Sequence, residues 1–171
     1  LTALLNGYLP EDIAVLGAEL ASDRFHSRLN AVSKTYKYRI WNSSVPNVFD
    51  RKYVWQVKEP LDVQAMERAA GYLLGEHDFA AFCGNPRMKK STVRKIYEIR
   101  IEKKGPEIDL IYTGNGFLQN MVRIISGTLV ETGLKERCPE EIEEILESKD
   151  RKKAGAKAPA QGLILWEVKY D

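Results

Sequence analysis

The run Phe117-Leu118-Gln119-Asn120-Met121-Val122-Arg123, with Gly127 four residues further on, sets one fixed cation inside an otherwise apolar stretch. Leu118, Met121, Val122, Ile125 and Leu129 recur at the spacing of one helix face, which predicts a buried helix starting at Leu118 and closing at Gly133. A guanidinium stays protonated and is costly to bury unpaired. Arg123 must therefore meet an anion, and the sequence supplies no identifiable partner for it.

Around this helix the chain alternates. Within residues 33–41, Tyr36, Tyr38 and Ile40 fall on one side, and Thr35, Lys37, Arg39 and Trp41 on the other, the pattern of a strand with a cationic face. Tyr97, Ile99 and Ile101 alternate with charged residues before Gly105-Pro106 turns the chain into Ile108, Leu110 and Tyr112, which predicts an antiparallel hairpin. Asp62 suits the N-cap of a helix with apolar positions Val63, Met66, Ala69, Ala70, Leu73 and Leu74, and Gly75 suits its C-terminal cap. Pro139 opens a short acidic helix reaching Leu146. Shorter signals predict a helix tail ending at Asn6-Gly7, strands over 13–20, 54–57 and 163–170, a loop at Gly84-Asn85-Pro86 and a mobile basic loop over 150–159. This order of elements predicts a single domain of α+β class, a mainly antiparallel sheet backed by helices.

Charge is segregated along the chain. The net charge is only +2, yet residues 24–53 carry seven Lys or Arg against one acid, and residues 86–105 carry eight against two. Residues 131–150 reverse the balance with eight acids against three bases. Two basic blocks of this kind point to a polyanion as partner. Cys83 and Cys138 lie far apart and form no metal-ligand pattern with His26 and His77, so neither a disulfide nor a metal site is expected. Without an apolar run long enough to span a bilayer, the reading is of a cytoplasmic protein that engages no membrane. Phosphate-binding glycine loops, the serine-nucleophile elbow and the zinc-protease signature are all missing from the sequence. What remains is aromatic and cationic: Tyr36 and Tyr38 among Lys34, Lys37 and Arg39, together with Arg123. Aromatic rings stack on splayed bases while cations neutralise the backbone, although alternating tyrosines also serve as ordinary strand core.

Five segments then carry a resemblance: Phe25-His26-Ser27-Arg28, Ser33-Lys34-Thr35-Tyr36-Lys37-Tyr38, Gly75-Glu76-His77-Asp78-Phe79, residues 117–127, and Ala158-Pro159-Ala160-Gln161-Gly162-Leu163. In this order they resemble the TruA family of tRNA pseudouridine synthases over nearly the whole chain. The resemblance implies a cofactor-free isomerase that converts uridine in the anticodon arm of tRNA to pseudouridine, usually as a homodimer. It implies that Tyr36 stacks on the flipped uracil and serves in proton removal, that Arg123 pairs with a nucleophilic aspartate, and that Leu163 lines the pocket floor. His26, Arg28, Lys34 and Lys37 from the first basic block, with Lys89, Lys90, Arg94 and Lys95 from the second, are expected to contact the substrate. For His26 and Arg28 a structural hydrogen bond is an equal alternative, and for His77 loop bracing stands beside proton shuttling.

One part of the family pattern is missing. The resemblance places the nucleophile in a Gly-Arg-Thr-Asp segment upstream of the matching region, and no Gly-Arg-x-Asp occurs in these residues. The expectation is therefore the C-terminal portion of a longer synthase, inactive by itself, with a non-catalytic RNA-binding module as the alternative. Asp78 and Asp109 are the obvious substitutes, but Asp78 belongs to a different motif and Asp109 to the polar side of a strand.

Overall fold

A computed structural model describes residues 1–85 and 87–170, which divide into two units, Leu1–Asn30 and Ala31–Asp171. The first contains one helix, α1 (Thr2–Asn6), and turns. The strand expected over 13–20 is not formed: no described strand pairs with that segment, and it is held by Asn6, whose side chain donates to the Val15 carbonyl (2.9 Å) and accepts from the Val15 N–H (2.7 Å).

The second unit is a six-stranded sheet with helices. Its strands are β1 (Ala31–Asn42), β2 (Trp55–Val57), β3 (Gly75–Asp78), β4 (Val93–Lys104), β5 (Glu107–Gly114) and β6 (Leu163–Tyr170). They run in the order β2-β1-β5-β4-β3, and β6 also pairs with β1. One edge of β1 is thus shared: β6 covers it from Ala31 to Tyr38, and β2 takes over in parallel from Ile40. All other pairings are antiparallel. The predicted hairpin is β4–β5, with Gly105 supplying the positive φ of +60° at the turn.

Parity sorts the two faces. Tyr38 and Ile40 of β1 and Ile108, Leu110 and Tyr112 of β5 are fully buried in the core. On the opposite face, Lys37 pairs with Asp109 at 3.0 Å and Arg39 with Glu107 at 2.6 Å, each two residues out of direct register. The cationic face read from β1 is therefore neutralised diagonally by its neighbour β5.

Helix α2 (Val63–Gly71) starts as predicted, the Asp62 carboxylate accepting from the Ala65 N–H at 3.0 Å. It ends earlier than predicted, capped by Tyr72. Gly75, at φ +92°, instead opens β3, a strand the sequence reading did not anticipate. Helix α3 (Met121–Gly133) starts three residues later than predicted, because Asn120 adopts a left-handed φ of 58°. Its Ile, Val and Thr residues lose a few tenths of a kcal/mol each in helix propensity, but burying an Ile or Leu side chain contributes roughly 2 kcal/mol. Tertiary burial wins: Ile124, Ile125 and Leu129 are completely enclosed. The acidic helix α4 (Glu141–Ser148) buries Ile142, Ile145 and Leu146 and turns its carboxylates outward.

Residues 150–159 are the main departure from expectation. Rich in Lys, Ala and Gly, they read as mobile, yet they are fastened to α3. The Gly155 N–H donates to Thr128 Oγ1 (3.0 Å), the Ala156 N–H to Glu131 (2.7 Å) and the Ala158 N–H to the Arg123 carbonyl (3.1 Å). Small residues allow this close approach, and Ala154 and Ala158 are buried.

At Gly127 the two backbones leave no room for a side chain, since a Cβ there would overlap the Ala156 carbonyl. Alanine would gain about 1 kcal/mol in helix propensity, whereas forcing the backbones apart costs about 1–3 kcal/mol or more. Gly127→Ala is thus expected to destabilise the protein by about 2 kcal/mol in urea unfolding; an unchanged midpoint would mean that the segment yields freely.

Candidate active site

Arg123 lies in the first turn of α3, and the left-handed backbone of Asn120 lets the preceding chain turn sharply into it. Its Nε donates to the Ala158 carbonyl at 2.7 Å, and its Nη1 to Asn120 Oδ1 at 3.3 Å. The backbone replies in the other direction through the Ala158 N–H and the Arg123 carbonyl. The side chain is half-buried rather than enclosed, and among the described residues no carboxylate forms an ion pair with it. The anion demanded by the sequence pattern is thus replaced by two neutral oxygens, which support the guanidinium without cancelling its charge.

The same segment is held from the sheet side. Tyr38 donates its hydroxyl to the Pro159 carbonyl at 2.7 Å, and its ring lies so close to Gly162 that a Cβ there would be 2.9 Å from Cζ. Leu163 follows, opposite Tyr38 in the β1–β6 register and half-buried against the core. Tyr36, on the same face of β1, meets Phe117 edge to face with centroids 5.2 Å apart. Beneath them Tyr112 donates to Ser126 Oγ (2.9 Å), which passes its own proton to the Val122 carbonyl (2.8 Å), so the buried hydroxyls are satisfied.

Burial raises the pKa of Tyr36 above the ordinary phenol value of 10.0. For Tyr38, burial again raises the pKa and the positive charge of Arg123 only partly offsets it. Both phenols are therefore protonated at neutral pH: Tyr36 is available as a stacking ring and hydrogen-bond donor, and Tyr38 is committed to Pro159.

The remaining predicted residues distribute unevenly. Lys34 shares the Tyr36 face by parity, whereas Lys37 points to the opposite face, bound to Asp109 and lying 4.4 Å from the Trp166 ring centre. Arg94, at the start of β4, lies beside Gly116 and donates to the carbonyls of Ser91 and Val93. Lys89, Lys90 and Lys95 are exposed around the same loop; Pro86 lies outside the described residues. His26 and Arg28 belong to the first unit, where His26 Nδ1 accepts from the N–H groups of Arg28 (3.2 Å) and Leu29 (3.3 Å). His77 braces its loop through Nε2 and the Leu74 carbonyl at 2.7 Å. Asp78 caps the 3-10 turn Ala80–Phe82 through the Ala80 N–H (3.1 Å), and also accepts from Thr92 and pairs with Lys149 at 2.9 Å. Asp109 is committed to Lys37 on the opposite face of the sheet from Tyr36.

Phe117, Asn120 and the carbonyls of Ala158 and Pro159 acquire roles that the sequence reading did not assign. For Asn120 the available signal was an Asn just before a helix; a backbone carbonyl leaves no signal.

The site thus combines an aromatic pair on one face of β1, Tyr36 with Phe117, and an arginine without an acidic partner among the described residues, carried on a sheet backed by helices. Residues 69–171 match the family model described as tRNA pseudouridine synthase. The chain is 46% identical over 167 residues to tRNA pseudouridine synthase A of Bacillus velezensis, covering 98% of this chain and 68% of that protein. It is 48% identical to the synthase A of Brevibacillus brevis (98% and 68%) and to synthase A 2 of Clostridium tetani (98% and 67%). The chain belongs to the tRNA pseudouridine synthase family.

Two predictions test this geometry. Tyr38→Phe strands the Pro159 carbonyl and is expected to destabilise the protein by about 1–2 kcal/mol in urea unfolding; no loss would show that solvent replaces the phenol. Asp78 has a pKa below its ordinary 3.8, chiefly because Thr92 bonds the carboxylate; burial opposes this, and Lys149 and the Ala80 N–H add to the lowering. The unfolded state therefore takes up the proton first, so the Asp78 contribution is complete above about pH 4 and is lost as pH falls through the folded value. Thr92→Val should move the NMR titration of Asp78 upward, towards 3.8.

Proposed function

We propose that this chain forms the part of a tRNA pseudouridine synthase that binds and stacks the target uridine, in the anticodon arm of tRNA. The observation that carries the reading is Arg123: a half-buried guanidinium positioned by the Ala158 carbonyl and Asn120, with its charge still available. Such a group pairs with a carboxylate and steadies negative charge during the reaction.

In the proposed isomerisation an aspartate supplied from a Gly-Arg-Thr-Asp segment attacks the flipped uridine. The bond from N1 to the ribose C1′ breaks, the base turns, a bond from C5 to C1′ forms, and the bond to the aspartate breaks to return the free carboxylate. The C5 proton leaves and N1 gains one, so atoms balance without a cofactor. Arg123 pairs with the aspartate, and Leu163 supports the base. Tyr36 stacks on the uracil face and takes part in removing the C5 proton. Its raised pKa supports the stacking role most directly, since a protonated phenol needs an acceptor of its own before it can take a proton. Extruding the nucleotide costs a few kcal/mol, offset by stacking and by phosphate contacts from Lys34, Arg94 and the loop lysines. The working enzyme on this reading is a cytoplasmic homodimer.

Since the residues given contain no Gly-Arg-x-Asp, the purified chain is expected to bind tRNA without releasing tritium from transcripts labelled at uridine C5. Tyr36→Leu should leave the fold intact and weaken tRNA binding about fivefold, the equivalent of roughly 1 kcal/mol of base stacking. Catalytic tritium release by the chain alone would overturn the division of roles, and unchanged binding by Tyr36→Leu would return that tyrosine to the core.

A further inference from the structure

A cavity of about 600 Å³ lies between two loops distant in sequence, one running from Cys83 to Thr92 and the other from Lys149 to Lys152. Ala80, Cys83 and Met88 give it an apolar lining, while Lys149, Arg151 and Lys152 supply its cations. Both loops belong to basic segments. Residues 87–95 hold five Lys or Arg and no acid, and residues 149–157 hold five with Asp150 as the single acid.

The cations of the strands and of these two loops differ in how many are paired. Of the nine Lys and Arg on the strands, Lys37, Arg39, Arg100, Lys104 and Lys169 have acidic partners within ion-pair distance. Of the eight in residues 87–92 and 149–157, only Lys149 has one among the described residues, namely Asp78. Arg151 gives Nη1 to the carbonyls of Ala154 and Gly155, which holds the turn in shape and leaves its charge uncancelled. Charges within a Debye length of about 10 Å add, so the cations without acidic partners that line and flank the cavity act together on a polyanion.

Both loops also lead to the candidate active site. The Gly84 N–H donates to the Gln119 carbonyl at 2.7 Å, just before α3, and the second loop ends at Ala158 on Arg123. We infer that this cavity and its flanking loops form a tRNA-backbone groove: phosphates lie along residues 149–157, a nucleotide rests on the apolar lining, and the strand runs on towards Arg123. The inference rests on tRNA being the substrate and adds where the strand runs. Paired sheet cations have little to gain from a phosphate, whereas the unpaired loop cations would release condensed counterions from the RNA on contact.

The test is tRNA binding to the whole chain, followed by fluorescence anisotropy across a salt series. Lys152, Lys153 and Lys157 are exposed, so Lys152→Gln, Lys153→Gln and Lys157→Gln can be combined with the fold preserved, as checked by thermal melting. The combined variant should flatten the dependence of log K on log salt by about two to three units, at about 0.7–0.9 per lost phosphate contact, and weaken binding about tenfold or more at 0.1 M salt. Lys104→Gln with Lys169→Gln, which removes two paired sheet cations, should leave the slope unchanged. A slope that stays at the parent value in the loop variant overturns the groove while leaving the proposed function standing. An equal loss in both variants overturns it in favour of diffuse charge. Failure of the parent chain to bind tRNA, with binding of an acidic peptide instead, overturns both readings.

Discussion

The attachment of residues 150–159 to α3 is the constraint on which the rest of the second unit depends. One backbone bond, a threonine hydroxyl, the Glu131 carboxylate and the Arg123 guanidinium all act on that segment. Their effect is to deliver Leu163, and with it β6, to the edge of β1 opposite Tyr38, with Tyr38 locking the arrival through Pro159. The tyrosines, the arginine and the β6 edge are therefore parts of one packing solution. Its condition is steric: Gly127 and Gly162 leave room where a side chain would meet a backbone carbonyl or an aromatic ring.

The elements legible in the sequence are those in which a period or a cap decides structure. The alternation of β1, the turn at Gly105 and the cap at Asp62 each depend on local backbone chemistry, and each occurs where it was read. The body of α3 was legible for the same reason, but its first turn was not. Leu118 is buried and apolar as the pattern requires, yet it precedes the helix, because apolar spacing reports burial and carries no information about the left-handed turn at Asn120. The four-residue β3 was missed because its Gly-Glu-His-Asp sequence has no strand character and pairing with β4 imposes the conformation.

Within the site, residue types were legible and partners were not. Tyr36, Tyr38 and Arg123 stand out as aromatic and cationic groups at revealing positions, but what they touch is set by tertiary contacts. The segment 150–159 shows why composition misleads here: Ala and Gly suggest mobility when nothing packs against them, and permit close backbone packing when a helix does. Lys37 shows the converse. As part of a basic block it looked like a substrate contact, and only the register with β5 reveals Asp109 beside it.

Charge availability, not charge content, connects these observations. A half-buried guanidinium needs hydrogen-bond acceptors, and a carboxylate within the chain would have met that need at the cost of neutralising it. A carbonyl and an amide oxygen meet it with charge-assisted bonds each contributing roughly 1.5–3 kcal/mol, and leave the formal charge intact. The same distinction operates over the surface. Lys37, Arg39, Arg100, Lys104 and Lys169 on the strands are spent on adjacent acids, while Arg151 in the loop beside α3 is held by backbone carbonyls and keeps its charge. On the proposed reading, a protein that attracts tRNA and directs it to one arginine is served by this difference, because paired charges compete little for the strand and loop charges without acidic partners guide it.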